Sequence, residues 1–168
     1  MRARTKLEAF LPRSGSTFVF VLAVACYDFA ITVLLALAVA ILHFPPRPPS
    51  FWESHGDSVA HVIEALLFAP LLESCILIGA VELVRWLRAP GWLQVFFAAV
   101  LVAGPHSFTW GWEPYAFIVA PGFALQAASY LYWRAVSRTR GFAVVVSIHS
   151  LHNFIPTLAI IAYATQKA

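Results

Sequence analysis

Apolar blocks of about 20 residues dominate this chain and constrain its fold more than any other feature. A membrane-spanning α-helix needs about 20 predominantly apolar residues. Because 61% of the residues are hydrophobic and 11% are charged, against about 25% charged in soluble domains, the pattern predicts an all-α polytopic membrane protein. The blocks predict about five transmembrane helices, over residues 17–42, 60–84, 91–109, 115–133 and 142–163.

The segments between the blocks are short, and we predict one membrane domain over residues 1–168. Residues 1–16 are expected to form a basic cytoplasmic N-terminus and residues 17–57 the first helix with a Pro-rich loop. Residues 58–168 are expected to form a four-helix core. The apolar stretch of the first helix, about 25 residues, exceeds the 7–15 residues of a cleaved signal peptide, so we expect a retained signal-anchor helix.

The distribution of basic residues predicts the orientation in the membrane. If the N-terminus is inside, nine of the 11 Lys and Arg residues are cytoplasmic, and only Arg47 and Lys167 lie outside. Cytoplasmic loops retain positive charge during insertion, so we predict a cytoplasmic N-terminus and a location in the bacterial plasma membrane. These residues cluster between apolar blocks rather than along one polar face, so we predict the lipid bilayer as a partner and no nucleic acid.

Several polar residues lie inside the apolar blocks, where an ionisable side chain costs about 2.5–3.5 kcal/mol. His149 and Asn153 are four residues apart, which places them on one face of a helix. Pro105 precedes His106 and predicts a distorted helix with a cavity beside the histidine. The polar residues deepest in the blocks are Asp28, Glu73, His106, His149, His152 and Asn153.

The remaining polar residues are expected to be structural. Glu64 and Glu82 are each nine residues from Glu73, which in an α-helix rotates them about 180° away from it, towards head-groups or another helix. Asp28 is expected to join helices by hydrogen bonds. His61 and His152 are expected to bond backbone carbonyls of neighbouring helices. Cys26 and Cys75 do not have metal-site spacing and are expected to be small core residues.

Glu73 alone is expected to have partners on other helices, and the candidate site consists of Glu73, His106, His149 and Asn153. One carboxylate and two histidines can perform acid–base chemistry on water, and an amide with a histidine can donate hydrogen bonds to an oxyanion. The same set could bind a metal ion, with Glu73, His106 and His149 as ligands. A haem or quinone site at the two histidines is a further alternative.

The three segments that hold these residues resemble motifs of the CPBP family of intramembrane endopeptidases, the CAAX-protease and bacteriocin-processing group. That family has Glu-Glu-x-x-x-Arg, Phe-x-x-x-His and His-x-x-x-Asn motifs on successive core helices. Here residues 70–79, 102–106 and 149–153 stand in the same order. The resemblance covers residues 58–160, hence the last four helices. The departures are Ser74 for the second Glu, Ile78 for the Arg and Val102 for the Phe.

The resemblance implies an endopeptidase that acts on a membrane-associated or prenylated (CaaX-type) protein or peptide. It implies that Glu73 and His106 activate a water molecule, and that His149 and Asn153 stabilise the oxyanion. That mechanism needs no cofactor; in the alternative, a metalloendopeptidase, zinc is bound by Glu73, His106 and His149. The alternative from a different class is a non-catalytic relative that acts as an immunity, chaperone or scaffold protein, because Ser74 and Ile78 replace two charged residues.

Overall fold

The computed structural model describes residues 11, 15–42, 59–109 and 114–165. Within these ranges all regular structure is helical, so the all-α prediction is confirmed and each predicted block contains a helix. The Pro-rich loop and nearly all of the basic N-terminus lie outside the described residues. The single helices are α1 (Thr17–Ile41), α3 (Gly91–Thr109), α4 (Pro114–Arg134) and α5 (Arg138–Thr165). The composite helix α2 consists of Val59–Ile63, the π-helical Glu64–Phe68 and Ala69–Trp86.

Three helical segments are long and apolar enough to cross a membrane, namely Thr17–Ile41, Glu64–Trp86 and Arg138–Ala159. The segment Gly91–Ser107 is a shorter apolar helix. Helix α4 contacts each of the other four helices, and it buries the polar residues Gln126 and Ser129 among them. The central position of α4 explains why it contains these polar residues, because polar side chains of membrane helices face the bundle interior.

The π-helical segment of α2 arises where a proline interrupts the normal hydrogen-bond pattern. The amide of Ala69 donates to the carbonyl of Glu64, five residues back. Pro70 follows and has no N–H, so it cannot donate to the carbonyl of Ala65. The side chain of Asn153 on α5 supplies that hydrogen bond instead, with Nδ2 2.9 Å from the Ala65 oxygen. The irregular segment is therefore held by a contact with another helix.

Helix α1 belongs to the same hydrophobic core as the later helices. Phe20 is completely buried, stacks on Tyr132 at a ring-centroid distance of 5.4 Å, and meets Trp133 edge-on at 5.4 Å. The first helix therefore shares the hydrophobic core of the other four helices. Cys26 and Cys75 are both exposed, so the expectation that they are core residues is wrong.

The ends of α2 and α4 near Trp86 and Arg134 are joined by polar contacts. Glu82 accepts a hydrogen bond from the Tyr130 hydroxyl at 2.7 Å and pairs with the Arg134 guanidinium. The prediction that Glu82 points away from Glu73, towards a different helix, is confirmed. Arg85 also reaches Glu82, at 3.3 Å on the same helix.

Candidate functional site

The helices enclose a cavity of about 230 Å³ to which every helix contributes side chains. All four residues of the predicted site, Glu73, His106, His149 and Asn153, line it. The prediction of a cavity beside His106 is therefore confirmed. The cavity is smaller than the 300–1,000 Å³ of pockets that hold drug-sized ligands, so it fits a small group or one part of a larger molecule.

Glu73 lies between the two histidines of the predicted site. Its Oε2 atom is 3.6 Å from Nε2 of His106 on α3 and 3.5 Å from Nε2 of His149 on α5. The same oxygen is buried and has no hydrogen-bond partner. These separations exceed those of direct hydrogen bonds, about 2.7–3.2 Å. Three helices thus bring a carboxylate and two imidazoles together at a spacing that a small hydrogen-bonding molecule can bridge.

The protonation of His106 follows from its contact with its own helix. Nδ1 lies 2.8 Å from the carbonyl oxygen of Val102, which can only accept a hydrogen bond. We therefore place the proton on Nδ1, which makes Nε2 of the neutral ring an acceptor. This acceptor nitrogen faces the carboxylate of Glu73, another acceptor. A water molecule can donate one hydrogen to each of these two atoms.

His149 is the most buried of the catalytic candidates, at 5% exposure. Its ring meets Phe123 edge-on at a centroid distance of 5.5 Å, and the same phenylalanine lies 5.4 Å from the ring of His106. Phe123 on α4 thus packs against both imidazoles. A packed aromatic neighbour restricts ring rotation, which holds the two Nε2 atoms towards Glu73.

Asn153 lines the cavity, but its side chain donates a hydrogen bond to α2 rather than to Glu73. One N–H of its Nδ2 group satisfies the Ala65 carbonyl. An asparagine amide has two such hydrogens, so a second one is left for a group in the cavity. Asn153 therefore joins the π-helical segment of α2 to α5 and also presents a donor to the site.

The structure adds three residues that the sequence did not assign to the site. Asp28 on α1 lies 3.3 Å from Nδ1 of His152, measured from Oδ1, and accepts a hydrogen bond from Gln126 at 3.2 Å through Oδ2. All three residues line the cavity. The prediction that Asp28 joins helices is confirmed, whereas the expectations that only Glu73 has partners on other helices and that His152 bonds a carbonyl are wrong. The side chain of His61 lies outside the described residues.

Glu64 also lines the cavity, so the expectation that it points away from Glu73 is wrong. That expectation assumed 100° of rotation per residue along an α-helix. Residues 64–68 form a π-helical segment, in which hydrogen bonds span five residues and each residue rotates less. The accumulated difference brings Glu64 round to the cavity side of α2.

The two main departures from the CPBP motifs lie away from the cavity. Ser74 is completely buried, and its hydroxyl oxygen has no hydrogen-bond partner. Ile78, one turn further along α2, packs against the hydrophobic core. Neither residue lines the cavity. The positions that would hold the second Glu and the Arg are therefore occupied by a small residue and an apolar one, and no buried charge is left unpaired there.

The zinc alternative was compared with the arrangement of possible ligands. Two ligand atoms of a tetrahedral zinc ion lie about 3.4 Å apart, given bonds of about 2.0–2.2 Å. The Glu73 to His106 and Glu73 to His149 distances, 3.6 and 3.5 Å, approach this value pair by pair. Among the residues that the structure describes, however, no group of three or more His, Cys, Asp or Glu side chains is arranged to hold a metal ion. Zinc binding by Glu73, His106 and His149 therefore stays a prediction.

Comparison of the chain with protein-family models, with curated proteins and with solved structures finds no match. Function is therefore inferred from the cavity and from the residues that line it. The cavity combines a partly buried carboxylate, two imidazoles and an asparagine amide, which is a set suited to acid–base chemistry.

Proposed function

We propose that the protein is a polytopic membrane protein and an intramembrane endopeptidase that hydrolyses a peptide bond with a glutamate-activated water. The observation that carries this proposal is the Glu73 carboxylate facing the acceptor nitrogen of His106 at 3.6 Å in a cavity between the helices. The substrate is a membrane-associated protein or peptide, of the prenylated CaaX type if the resemblance to the CPBP family extends to specificity.

In the proposed reaction a water molecule donates one hydrogen to Oε2 of Glu73 and the other to Nε2 of His106. Its oxygen then attacks the peptide carbonyl carbon, and Glu73 takes the proton. The carbonyl oxygen becomes an oxyanion, which accepts hydrogen bonds from Nε2–H of His149 and from the second N–H of Asn153. When the C–N bond breaks, Glu73 returns the proton to the leaving nitrogen, and the products are a carboxylic acid and an amine.

The membrane setting is supported by the three helical segments that are long and apolar enough to span a bilayer. Large apolar side chains are exposed on every helix, for example Phe18, Leu72, Phe96, Phe117 and Leu158. Glu73 and the polar residues around it face the interior of the bundle instead. This arrangement suits a bundle surrounded by lipid with five spans and a cytoplasmic N-terminus.

A second line of support is the order of the motifs along the chain. The Glu, the two histidines and the Asn of the CPBP motifs all occur, on α2, α3 and α5. Their side chains reach one cavity. Ser74 and Ile78 do not line that cavity, so the replacement of the second Glu and the Arg leaves the four proposed catalytic residues in place.

The test is cleavage of a membrane-anchored fluorogenic peptide by the purified protein. Glu73→Gln keeps the size of the side chain but removes the base, and we expect kcat to fall by about 10²–10⁴-fold, the usual contribution of general acid–base catalysis. Cys75→Ala is the matched control, since Cys75 is an exposed residue of the same helix, and we expect it to retain full activity. A Glu73→Gln protein with undiminished turnover contradicts the proposal.

Metal analysis decides between the two mechanisms that the sequence left open. We expect activity to survive extensive chelation, because the proposed reaction needs no metal ion. Loss of activity together with loss of one zinc per chain, and recovery of both on adding zinc, contradicts the glutamate mechanism and supports the metalloendopeptidase.

A non-catalytic immunity, chaperone or scaffold function is the second candidate, and one observation favours it. Ser74 and Ile78 occupy the positions of a Glu and an Arg of the CPBP motif with neutral side chains. Complementation of a host phenotype separates the two functions. Full complementation by Glu73→Ala, His106→Ala and His149→Ala supports the non-catalytic function, whereas dependence on all three residues supports the peptidase.

A further inference from the structure

The end of the cavity nearest α1 contains two buried acceptor oxygens that have no donor. Asp28 is completely buried, and its Oδ1 atom has no hydrogen-bond partner. Gln126 is 3% exposed, donates through Nε2 to Oδ2 of Asp28, and has an Oε1 atom that is also without a hydrogen-bond partner. Leaving a buried acceptor unsatisfied destabilises the folded protein. Both residues line the cavity, so a ligand there can supply the missing donors.

Gly122 lets the Asp28 carboxylate lie directly against α4. A Cβ atom at position 122 would lie 2.2 Å from Oδ1 of Asp28, so α1 and α4 could not approach this closely with any other residue there. His152 lies on the opposite side, with Nδ1 3.3 Å from Oδ1. Neither of these two atoms has a partner with hydrogen-bond geometry. The imidazole therefore lies close to the carboxylate without satisfying it.

The charges around the cavity point to the kind of donor that fits. Three carboxylates line it, those of Asp28, Glu64 and Glu73, and among the described residues around it there is no Lys or Arg. Histidines supply the basic groups, and they are neutral unless they take up a proton. Inside a bilayer a carboxylate requires a compensating partner. The cavity thus combines unsatisfied acceptors with three carboxylates, and its three histidines carry positive charge only when protonated.

We propose that the Asp28 end of the cavity binds a primary ammonium group, which donates hydrogen bonds to Oδ1 of Asp28 and Oε1 of Gln126. The inference rests on the proposed function in that the ammonium group belongs to the peptide substrate, as its amino terminus or a lysine side chain close to the scissile bond. The head-group of an aminolipid contains the same chemical group. The cavity of about 230 Å³ admits such a group with the adjoining peptide unit.

Binding is tested on the full-length protein in phosphatidylcholine nanodiscs, whose quaternary head-groups have no N–H. The probe is alaninamide, a primary ammonium next to one amide, and its neutral counterpart is N-acetylalaninamide. We expect alaninamide to bind with a measurable Kd by calorimetry or NMR titration, and N-acetylalaninamide to bind at least about tenfold more weakly, because a charge-assisted hydrogen bond is lost.

Variants locate the site within the cavity. Asp28→Asn removes the charge with little change in shape, and we expect it to weaken alaninamide binding at least about tenfold. Thr32→Val is the matched control, one turn along α1 and away from the cavity lining, and we expect an unchanged Kd. Unchanged alaninamide binding by Asp28→Asn, or equal binding of the two probes by the wild type, overturns the proposal and leaves Asp28 and His152 as a structural pair.

Catalysis and ammonium binding are separated by Glu73→Gln. We expect this variant to bind alaninamide with a Kd within about threefold of the wild type even though it does not turn over substrate. If Glu73→Gln abolishes binding while Asp28→Asn does not, the ammonium lies at Glu73 and the proposal is wrong. If alaninamide binds in the expected way and no peptide is cleaved, the ammonium site stands and the peptidase function fails.

The source of the ammonium group is identified by adding phosphatidylethanolamine to the nanodiscs. Competition with alaninamide in the wild type, with Thr32→Val giving the same competition, assigns the site to an aminolipid head-group. Absence of competition assigns it to a peptide amine. With a cleavable peptide, acetylation of the amino group should then raise KM in the wild type and leave it unchanged in Asp28→Asn.

Discussion

At the scale of single residues, the close approach of α1 and α4 depends on Gly122. We expect Gly122→Ala to destabilise the protein by about 1–3 kcal/mol, because the added methyl group would meet the Asp28 carboxylate at 2.2 Å and force the helices apart. The measurement is the free energy of unfolding in mixed micelles. Gly79→Ala is the control, since nothing lies within 4 Å of its Cβ position, and it should be neutral or stabilising by up to about 1 kcal/mol.

His106 provides a second residue-scale prediction, which concerns rate rather than stability. His106→Phe keeps a ring of similar shape but removes the acceptor nitrogen that faces Glu73, so we expect kcat to fall by about 10²–10⁴-fold with little change in KM. The readout is the kcat and KM of peptide cleavage. Val100→Ala, at an exposed position of the same helix, should leave both unchanged. A large rise in KM with unaltered kcat would instead assign His106 to substrate binding.

At the scale of secondary structure, the π-helical segment of α2 links a proline to a site residue. We expect Asn153→Ala to destabilise the protein by about 1–2 kcal/mol, because the carbonyl of Ala65 loses its donor. Pro70→Ala restores a backbone N–H that can bond this carbonyl. The cost of Asn153→Ala should therefore shrink in the Pro70→Ala background, which a double-mutant cycle measures.

The matched control for this cycle is Pro121→Ala, which changes a proline inside α4 rather than in α2. We expect no coupling between Pro121→Ala and Asn153→Ala. A coupling energy near zero for Pro70 as well would mean that the Ala65 carbonyl does not depend on Asn153.

The ionic contacts of Glu82 join α2 to α4, and they provide a second prediction at this scale. Arg134 is mostly buried, with 14% of its side chain exposed, so we expect Glu82→Ala to cost about 1–3 kcal/mol by leaving the guanidinium without its partner. Arg85→Ala should cost less than about 0.5 kcal/mol, since that pair is exposed and lies within one helix. Equal effects of the two changes on unfolding would contradict this view.

The helix positions could be predicted from the sequence because the length of an apolar block and the residues at its ends are local properties. The cluster around Glu73 could also be predicted from the sequence. Each ionisable residue inside an apolar block has a free-energy cost in the bilayer, which by itself marks it as a candidate functional residue. The direction of the Glu64 side chain could not be predicted, because the π-helical segment depends on a hydrogen bond from Asn153 on α5. The pairing of Asp28 with Gln126 joins positions 98 residues apart, and no local pattern encodes which helix faces α1.

At the scale of the whole molecule, apolar side chains face outwards on every helix and polar side chains converge on one cavity. Removing α1 would expose this cavity, because Asp28 closes it on that side. The structure also places α1 in the hydrophobic core. The bundle of five helices is therefore the unit to which any activity belongs.

The number of spans and their orientation provide the prediction at this scale. In a background with Cys26→Ala and Cys75→Ala, single cysteines at Leu87 and Val136 probe the α2–α3 and α4–α5 connections, where both side chains are exposed. Trp112→Cys, in the segment between α3 and α4, lies outside the described residues. With five spans and the N-terminus inside, an impermeant thiol reagent should label position 112 in intact cells, and positions 87 and 136 only in inside-out vesicles.

The labelling experiment is most informative for α3 and α4, because they are not among the segments that by length and hydropathy alone could cross a membrane. If α4 did not span the bilayer, positions 112 and 136 would be labelled from the same side. If α3 did not span it, positions 87 and 112 would share a side. Labelling on alternate sides would instead mean that a helix as polar as α4 crosses the bilayer, which is tolerated because its neighbours cover Gln126 and Ser129.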